Sequence, residues 1–337
     1  MLMARGSGLS ARRSRRRLLV RLAAATWIIT AAGACRPDDA PPADGRTATW
    51  LDISPAIGDP PRDPGDALAL LQAYGAGTLG VRGVSVIFGN VPLERGLPAA
   101  LELLQRMDTG LRRAWRGASA ADERAAPTEA TELLEEALRK EPLTIVATGP
   151  ATTIASLLLR KPAMARRIER VILVAGTGID DATLAGTTDG DADAVVHADA
   201  GSVQVLLDSP IALTLVRPGP LAGVALDAAD LDRLDQGVGP VKLIVPSARE
   251  WLQAATRREG ITAIAVPAML AVDVAAHPGK MRCEPAAASF GRSGPAGPRL
   301  LIENSPTGRK VTWCHSADPE AKARIIADVL RVRAVPH

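Results

Sequence analysis

The residues best suited by type to do chemistry are oxygen donors: Asp52, Ser54, Asp59, Asp63 and Asp66 in one early stretch, then Asn90, Thr148 and Asp193. Several carboxylates close together suit a hard cation such as Ca2+, which takes about six to eight oxygens and accepts backbone carbonyls among them. The same spacing allows a plainer role, with Asp63 and Asp66 as helix caps and the remaining acids solvated in loops. Other chemistries find less support. His197, His277, His315 and His337 show no zinc-type spacing with the cysteines. Gly176-Thr177-Gly178 lacks the third glycine of a dinucleotide-binding turn, and no Gly-x-Ser-x-Gly elbow marks a serine hydrolase. His197 and His277 read as surface or interface residues, and Trp50, Trp115, Trp251 and Trp313 as packing residues.

Secondary structure must bring the oxygen donors together. Residues 48–53 (ATWLDI), 79–88 (LGVRGVSVIF), 143–147 (LTIVA) and 171–175 (VILVA) are apolar, β-branched runs of strand length. Between them, 66–74, 93–107, 129–140 and 152–159 carry helical periodicity, the first with an aspartate as cap. Strands buried on both faces and alternating with helices predict an α/β fold, an open, mostly parallel sheet flanked by helices with a Rossmann-like core. In such a sheet the strand-end loops meet in one crevice, which gathers Asp52 to Asp66, Asn90, Thr148 and Asp193. Beyond a polar loop at 176–193, a strand is expected at 211–216. Helices are expected near 199–207, 228–234, 246–258, 269–276 and 318–332, with an irregular or β region at 283–314 and a loop at 293–298 (SGPAGP).

Composition narrows the class. The chain has 337 residues, 47% of them hydrophobic but only 2% aromatic, so Ala, Leu and Val must fill the core. Its net charge of +3 comes largely from an arginine-rich segment at 5–21, and the rest shows no basic stripe, so nucleic acid is not an expected partner. Residues 1–35 read as a signal peptide: Ser14-Arg15-Arg16 before Leu18-Leu19 is similar to a twin-arginine leader, and the apolar run 22–34 is too short to span a membrane. Ala32-Gly33-Ala34-Cys35 is similar to a lipobox, which makes Cys35 a lipidation site, 36–47 a flexible tether and 48–337 the domain. The expectation is an exported protein of the periplasm or cell envelope, touching the membrane only through that anchor. Cys283 and Cys314 are then either a disulfide or two reduced, buried thiols.

Five motifs in order resemble the inosine-uridine-type nucleoside hydrolases. They are Leu51-Asp52-Ile53-Ser54-Pro55, Gly65-Asp66-Ala67-Leu68-Ala69, Val86-Ile87-Phe88-Gly89-Asn90, the Thr148-Gly149-Pro150 segment, and Ala268-Met269-Leu270-Ala271-Val272. The resemblance implies a Ca2+ held by aspartates and a threonine carbonyl, chelating a ribose diol and orienting a water that an aspartate deprotonates. Carried over by position, Asp52, Asp66 and Thr148 would hold the metal, and Asn90 and Asp193 would contact the ribose of a nucleoside or other ribosyl ligand. Members are often dimers or tetramers, which implies a homo-oligomer, although no interface signature is visible. The departures are as specific. Ser54 stands where the family has its metal-binding base, Gly65 where the first of two adjacent acids belongs, and Ala268 where a late metal-binding aspartate belongs. Val195, Thr153 and Pro267 also differ from the pattern. Asp59, Asp63 and Asp273 are the acids available to compensate, with Asp63 as the substitute base. Two readings stay open: hydrolysis of an N-glycosidic bond, or ligand binding on an inactive relative of the same fold.

Overall fold

The computed structural model describes residues 45–58, 60–178, 193–219, 221, 223–291 and 297–335. The expected leader, Cys35 and nearly all of the tether lie outside these residues, as do Asp59, most of the 176–193 loop and most of the 293–298 loop.

Thr47–Ile53 forms β1, with only Thr47 short of full burial, between β2 (Leu79–Val86) and β4 (Leu143–Ala147), with β5 (Ile168–Val174) next to β4. With β3 (Trp115–Arg116), β6 (Thr177–Gly178), β7 (Leu213–Val216), β8 (Met281–Phe290), β9 (Leu300–Glu303) and β10 (Arg309–Ala317), the order is β3-β2-β1-β4-β5-β7-β10-β8-β9-β6. All pairs from β3 through to β10 are parallel, and β8 is antiparallel to both β10 and β9. The open, mostly parallel sheet is thus as expected, and the 283–314 region resolves into strands β8 to β10.

Successive side chains of a strand point to opposite faces, and two cores follow from that. Leu51, Ile53, Val84, Val146, Ile172 and Val216 pack on one face with α1 (Gly65–Gly75), α2 (Leu93–Arg106), α7 (Val241–Glu259), α8 (Pro267–Ala276) and α9 (Ala321–Leu330). Trp50, Ile145, Leu173 and Leu215 pack on the other with α3 (Glu129–Lys140), α4 (Thr152–Arg160) and α5 (Ala194–Asp208). A short α6 (Ala228–Asp235) leads into α7. Among the described residues no helix is long and apolar enough to cross a membrane.

Three local expectations need correction. The start of α1 is not capped by an aspartate side chain: Pro64 occupies the cap position, and Asp66 lies in the first turn, accepting from the Ser54 N–H at 2.6 Å. α7 begins a turn before Pro246, because burial of Val241, Ile244 and Val245 outweighs the lost hydrogen bond and the crowding that an internal proline brings. α5 begins at Ala194, not near 199. Asp199 sits inside it at a kink (φ −157°, ψ 76°), where its carboxylate accepts from the Ser202 N–H at 3.0 Å and caps the second segment. That kink is held by Arg124, which forks onto the Asp199 carboxylate, and by the Thr152 hydroxyl at 2.7 Å.

Cys283 and Cys314 face each other across the antiparallel β8–β10 pair and are bridged. α1 and α9 approach so closely that a Cβ added to Gly75 would fall 1.8 Å from the Asp328 carbonyl oxygen, so only glycine fits there.

Candidate functional site

A cavity of about 330 Å³ opens where the carboxyl ends of β1, β2, β4, β5 and β7 meet the start of α8, the crevice expected of a parallel sheet. Its polar lining comes from Ser54, Asp63, Asp66, Asn90 and Thr148, and its apolar side from Pro150, Val174, Val195, Pro218, Pro267 and Ala268. The sheet therefore brings Asp63, Asp66, Asn90 and Thr148 to one pocket.

Each acid is fixed by backbone or by a neighbouring strand. Asp66 is reached by the Ser54 N–H, which ties the end of β1 to the first turn of α1. Asp63 accepts from the Gly65 N–H at 2.7 Å, while its own carbonyl accepts from the Asn90 amide at 2.8 Å. Asn90 also donates to the Ser54 carbonyl at 3.3 Å, so its nitrogen serves the loop. Asp52 is on the other face of β1, with Trp50. The Trp50 indole donates to Ser85 at 2.8 Å, and the Ser85 hydroxyl donates to Asp52 Oδ1 at 2.5 Å. The buried hydroxyl of Thr153 lies against Asp52 and that of Thr148 against Asp66, each close enough to favour the ionised acid. Asp193 is buried and spent on backbone, accepting from Gly176 at 2.6 Å and from Val196 at 3.1 Å as the cap of α5. It does not line the cavity, although Ala194 and Val195 beside it do.

Asp273 is carried elsewhere. It is fully buried near the far end of α8 from Ala268, where Arg324 of α9 holds both its oxygens at 2.9 and 2.7 Å. His277 pairs there with Asp328 at 2.8 Å. His315 lies 3.1 Å from Glu284 in a larger cleft of about 880 Å³ along β8–β10, outside the acid set.

Sequence reasoning passed over Ser85 and Arg124 and gave Thr153 no role beyond a departure from the family pattern. For Ser85 a signal existed, since a lone hydroxyl in the apolar run of β2 requires a buried partner.

Burial raises the site acids. Asp52 is pushed up to about 7, against the pull of the Ser85 and Thr153 hydroxyls and with some push from Asp66. Desolvation likewise pushes Asp63 up to about 6 and Asp193 to about 7, and raises Asp66. Raised carboxyl pKa values mean that the folded chain keeps protons the unfolded chain has released. Stability is therefore expected to fall as pH rises from about 4 to about 7 and to level off above, by up to about 1.4 kcal/mol per unit for each group. Thermal melts of the wild type and of Asp52→Asn check this: the variant should show the shallower decline, and an identical slope would refute the assignment to Asp52.

Set against a Ca2+ centre, the donors fall short. Position 54 offers a hydroxyl bonded to the Val91 backbone, accepting from its N–H at 3.3 Å and donating to its carbonyl at 3.4 Å. Position 268 offers a methyl group. Among the described residues, the one set of three His, Cys, Asp or Glu side chains whose ligand atoms lie within 4.8 Å of one another is Asp273, His277 and Asp328, not the acids of the pocket. The described residues do not fit the family's cation, since affinity follows ligand charge and number.

Comparison with known proteins places this architecture. The chain is 28% identical over 221 residues to the pyrimidine-specific ribonucleoside hydrolase RihA of Klebsiella pneumoniae, covering 57% of this chain and 70% of that protein. It is 27% identical over 212 residues to the RihA of Salmonella typhimurium, covering 54% and 67%. A plant nucleoside hydrolase shares the fold at a TM-score of 0.70 and 19% identity, over 84% of this chain and 99% of that one. The purine-preferring ribonucleoside hydrolase of Gardnerella vaginalis does so at 0.68 and 18%, over 84% and 98%. With residues 58–330 matching the profile of the inosine-uridine preferring nucleoside hydrolases, the chain belongs to that family, whose members use a metal ion and act on nucleosides.

Proposed function

We propose that the chain binds a nucleoside, or a ribosyl compound of similar size, without turning it over. The observation that carries this reading is the split within the pocket. The acceptors able to meet sugar hydroxyls are present in Asp63, Asp66 and Thr148, whereas positions 54 and 268 present a backbone-tied hydroxyl and a methyl. A cavity of about 330 Å³ lies within the range of small-molecule sites. The twin-arginine-like leader and lipobox favour a lipid-anchored place outside the cytoplasmic membrane, and the Cys283–Cys314 bridge suits an oxidising compartment.

Calorimetry of the full-length protein with inosine and uridine tests the reading. Saturable binding that survives a chelator, with no free base released, is the expected result. Absence of heat with both nucleosides would end it. A second reading, hydrolysis of the N-glycosidic bond, is favoured by Asp63 alone, whose pocket position and pKa near 6 suit a general base. Accumulation of free hypoxanthine or uracil would decide for it.

A further inference from the structure

Gly65 is the first residue of α1, in a helical conformation that any residue adopts, so backbone freedom does not account for glycine there. Space does. A Cβ built on Gly65 would lie 2.9 Å from Asp63 Oδ1 and 3.9 Å from the Ala268 methyl. The Asp63 carboxylate therefore fills the volume into which a side chain at 65 would grow, next to the pocket that both residues line.

The loop that delivers it is anchored from three sides. The Asn90 amide holds the Asp63 carbonyl at 2.8 Å, Arg95 of α2 holds the Pro60 carbonyl at 3.0 Å, and Ser247 of α7 accepts from the Gly58 N–H at 2.8 Å. Gly65 itself fixes Asp63 Oδ1 through its N–H, which leaves Oδ2 as an acceptor. A carboxylate held in this way is preorganised to receive hydroxyl donors.

We propose that Asp63 replaces, through space, the acidic side chain missing at position 65, and that its carboxylate accepts the hydroxyls of a bound ribosyl ligand. This rests on the ligand-binding reading above and gives Asp63 a binding role distinct from that of a base. It also makes Gly65 a partner of Asp63: any larger residue at 65 has to displace the carboxylate.

The test is a swap, read by calorimetry with inosine on the full chain, with thermal melts confirming that each variant is folded. Asp63→Ala is expected to weaken binding about 10- to 100-fold, as for loss of a charged hydrogen-bond acceptor. Gly65→Ala, which keeps Asp63 but adds the Cβ, is expected to weaken it about 5-fold or more. The double variant Asp63→Ala/Gly65→Asp, which moves the carboxylate to the helix, is expected to return to within about 3-fold of wild type. Unchanged affinity in Asp63→Ala overturns the inference and leaves the binding function standing. A folded double variant as weak as Asp63→Ala also overturns it. If the wild type binds uridine instead of inosine, the same series is read with uridine, and if it binds neither nucleoside, function and inference fall together.

Discussion

Replacing Arg324 by methionine is expected to lower the free energy of unfolding by about 3–5 kcal/mol, the cost of leaving a buried carboxylate without its partner. Asp273 is fully buried, and the Arg324 side chain is only 12% exposed. The guanidinium meets both Asp273 oxygens and also reaches Asp318 at 3.0 Å. Methionine keeps much of the side-chain length and none of the charge, so Asp273 would have to take up a proton or draw in water. Removing both charges with Asp273→Leu/Arg324→Met should be markedly less harmful than the single change, because the fully buried carboxylate goes with its partner and only the partly exposed Asp318 is left unpaired. Urea unfolding of the three proteins checks this, and a loss below about 1 kcal/mol for Arg324→Met would show the pair to be dispensable. Since Asp273 lies near the far end of α8 from Ala268, ligand binding by the folded fraction should be unaltered.

Restoring carboxylates is expected to produce the largest change in activity. In Ser54→Asp/Ala268→Asp, one acid enters at the end of β1 and another at the start of α8, both on the pocket that already holds Asp63 and Asp66. Added carboxylates raise both the charge and the number of oxygen donors, so calorimetry should show Ca2+ binding well above that of the wild type. A positioned base contributes typically about 100- to 10,000-fold, so release of hypoxanthine from inosine in Ca2+ should rise at least about 100-fold over the wild type. A folded double variant with no gain in either measurement would locate the defect elsewhere in the pocket.

What could be read from the sequence follows the physics of burial. β1, β4 and β5 are sandwiched between helices, so each has an apolar stretch (Trp50-Leu51, Ile145 to Ala147, Val171 to Val174), and the loops that follow carry the polar groups. The convergence of Asp63, Asp66, Asn90 and Thr148 was legible for that reason. Partnerships across long separations were not. Nothing near Asp273 shows that Arg324, 51 positions later, takes both its oxygens, and so Asp273 reads as a spare ligand when it is a structural ion. The family resemblance makes Asp193 a ribose contact, while in the fold its oxygens accept the backbone N–H groups of Gly176 and Val196. Pro246 reads as a helix start because local rules place proline there, while burial of Val241 and Ile244 begins the helix earlier.

The position of β10 bears on how the protein is made. The last strand of the chain lies between β7 and β8, pairing parallel to one and antiparallel to the other, and Arg217 beyond β7 donates its N–H to the Cys314 carbonyl at 3.0 Å. Until residues 309–317 leave the ribosome, β7 therefore carries an open apolar edge and β8 has no neighbour on that side. A nascent chain in this state is prone to pair with other strands. The sheet can be completed only once residues 309–317 have been made, and a chain ending before β10 would lose an interior strand of the sheet, not its margin.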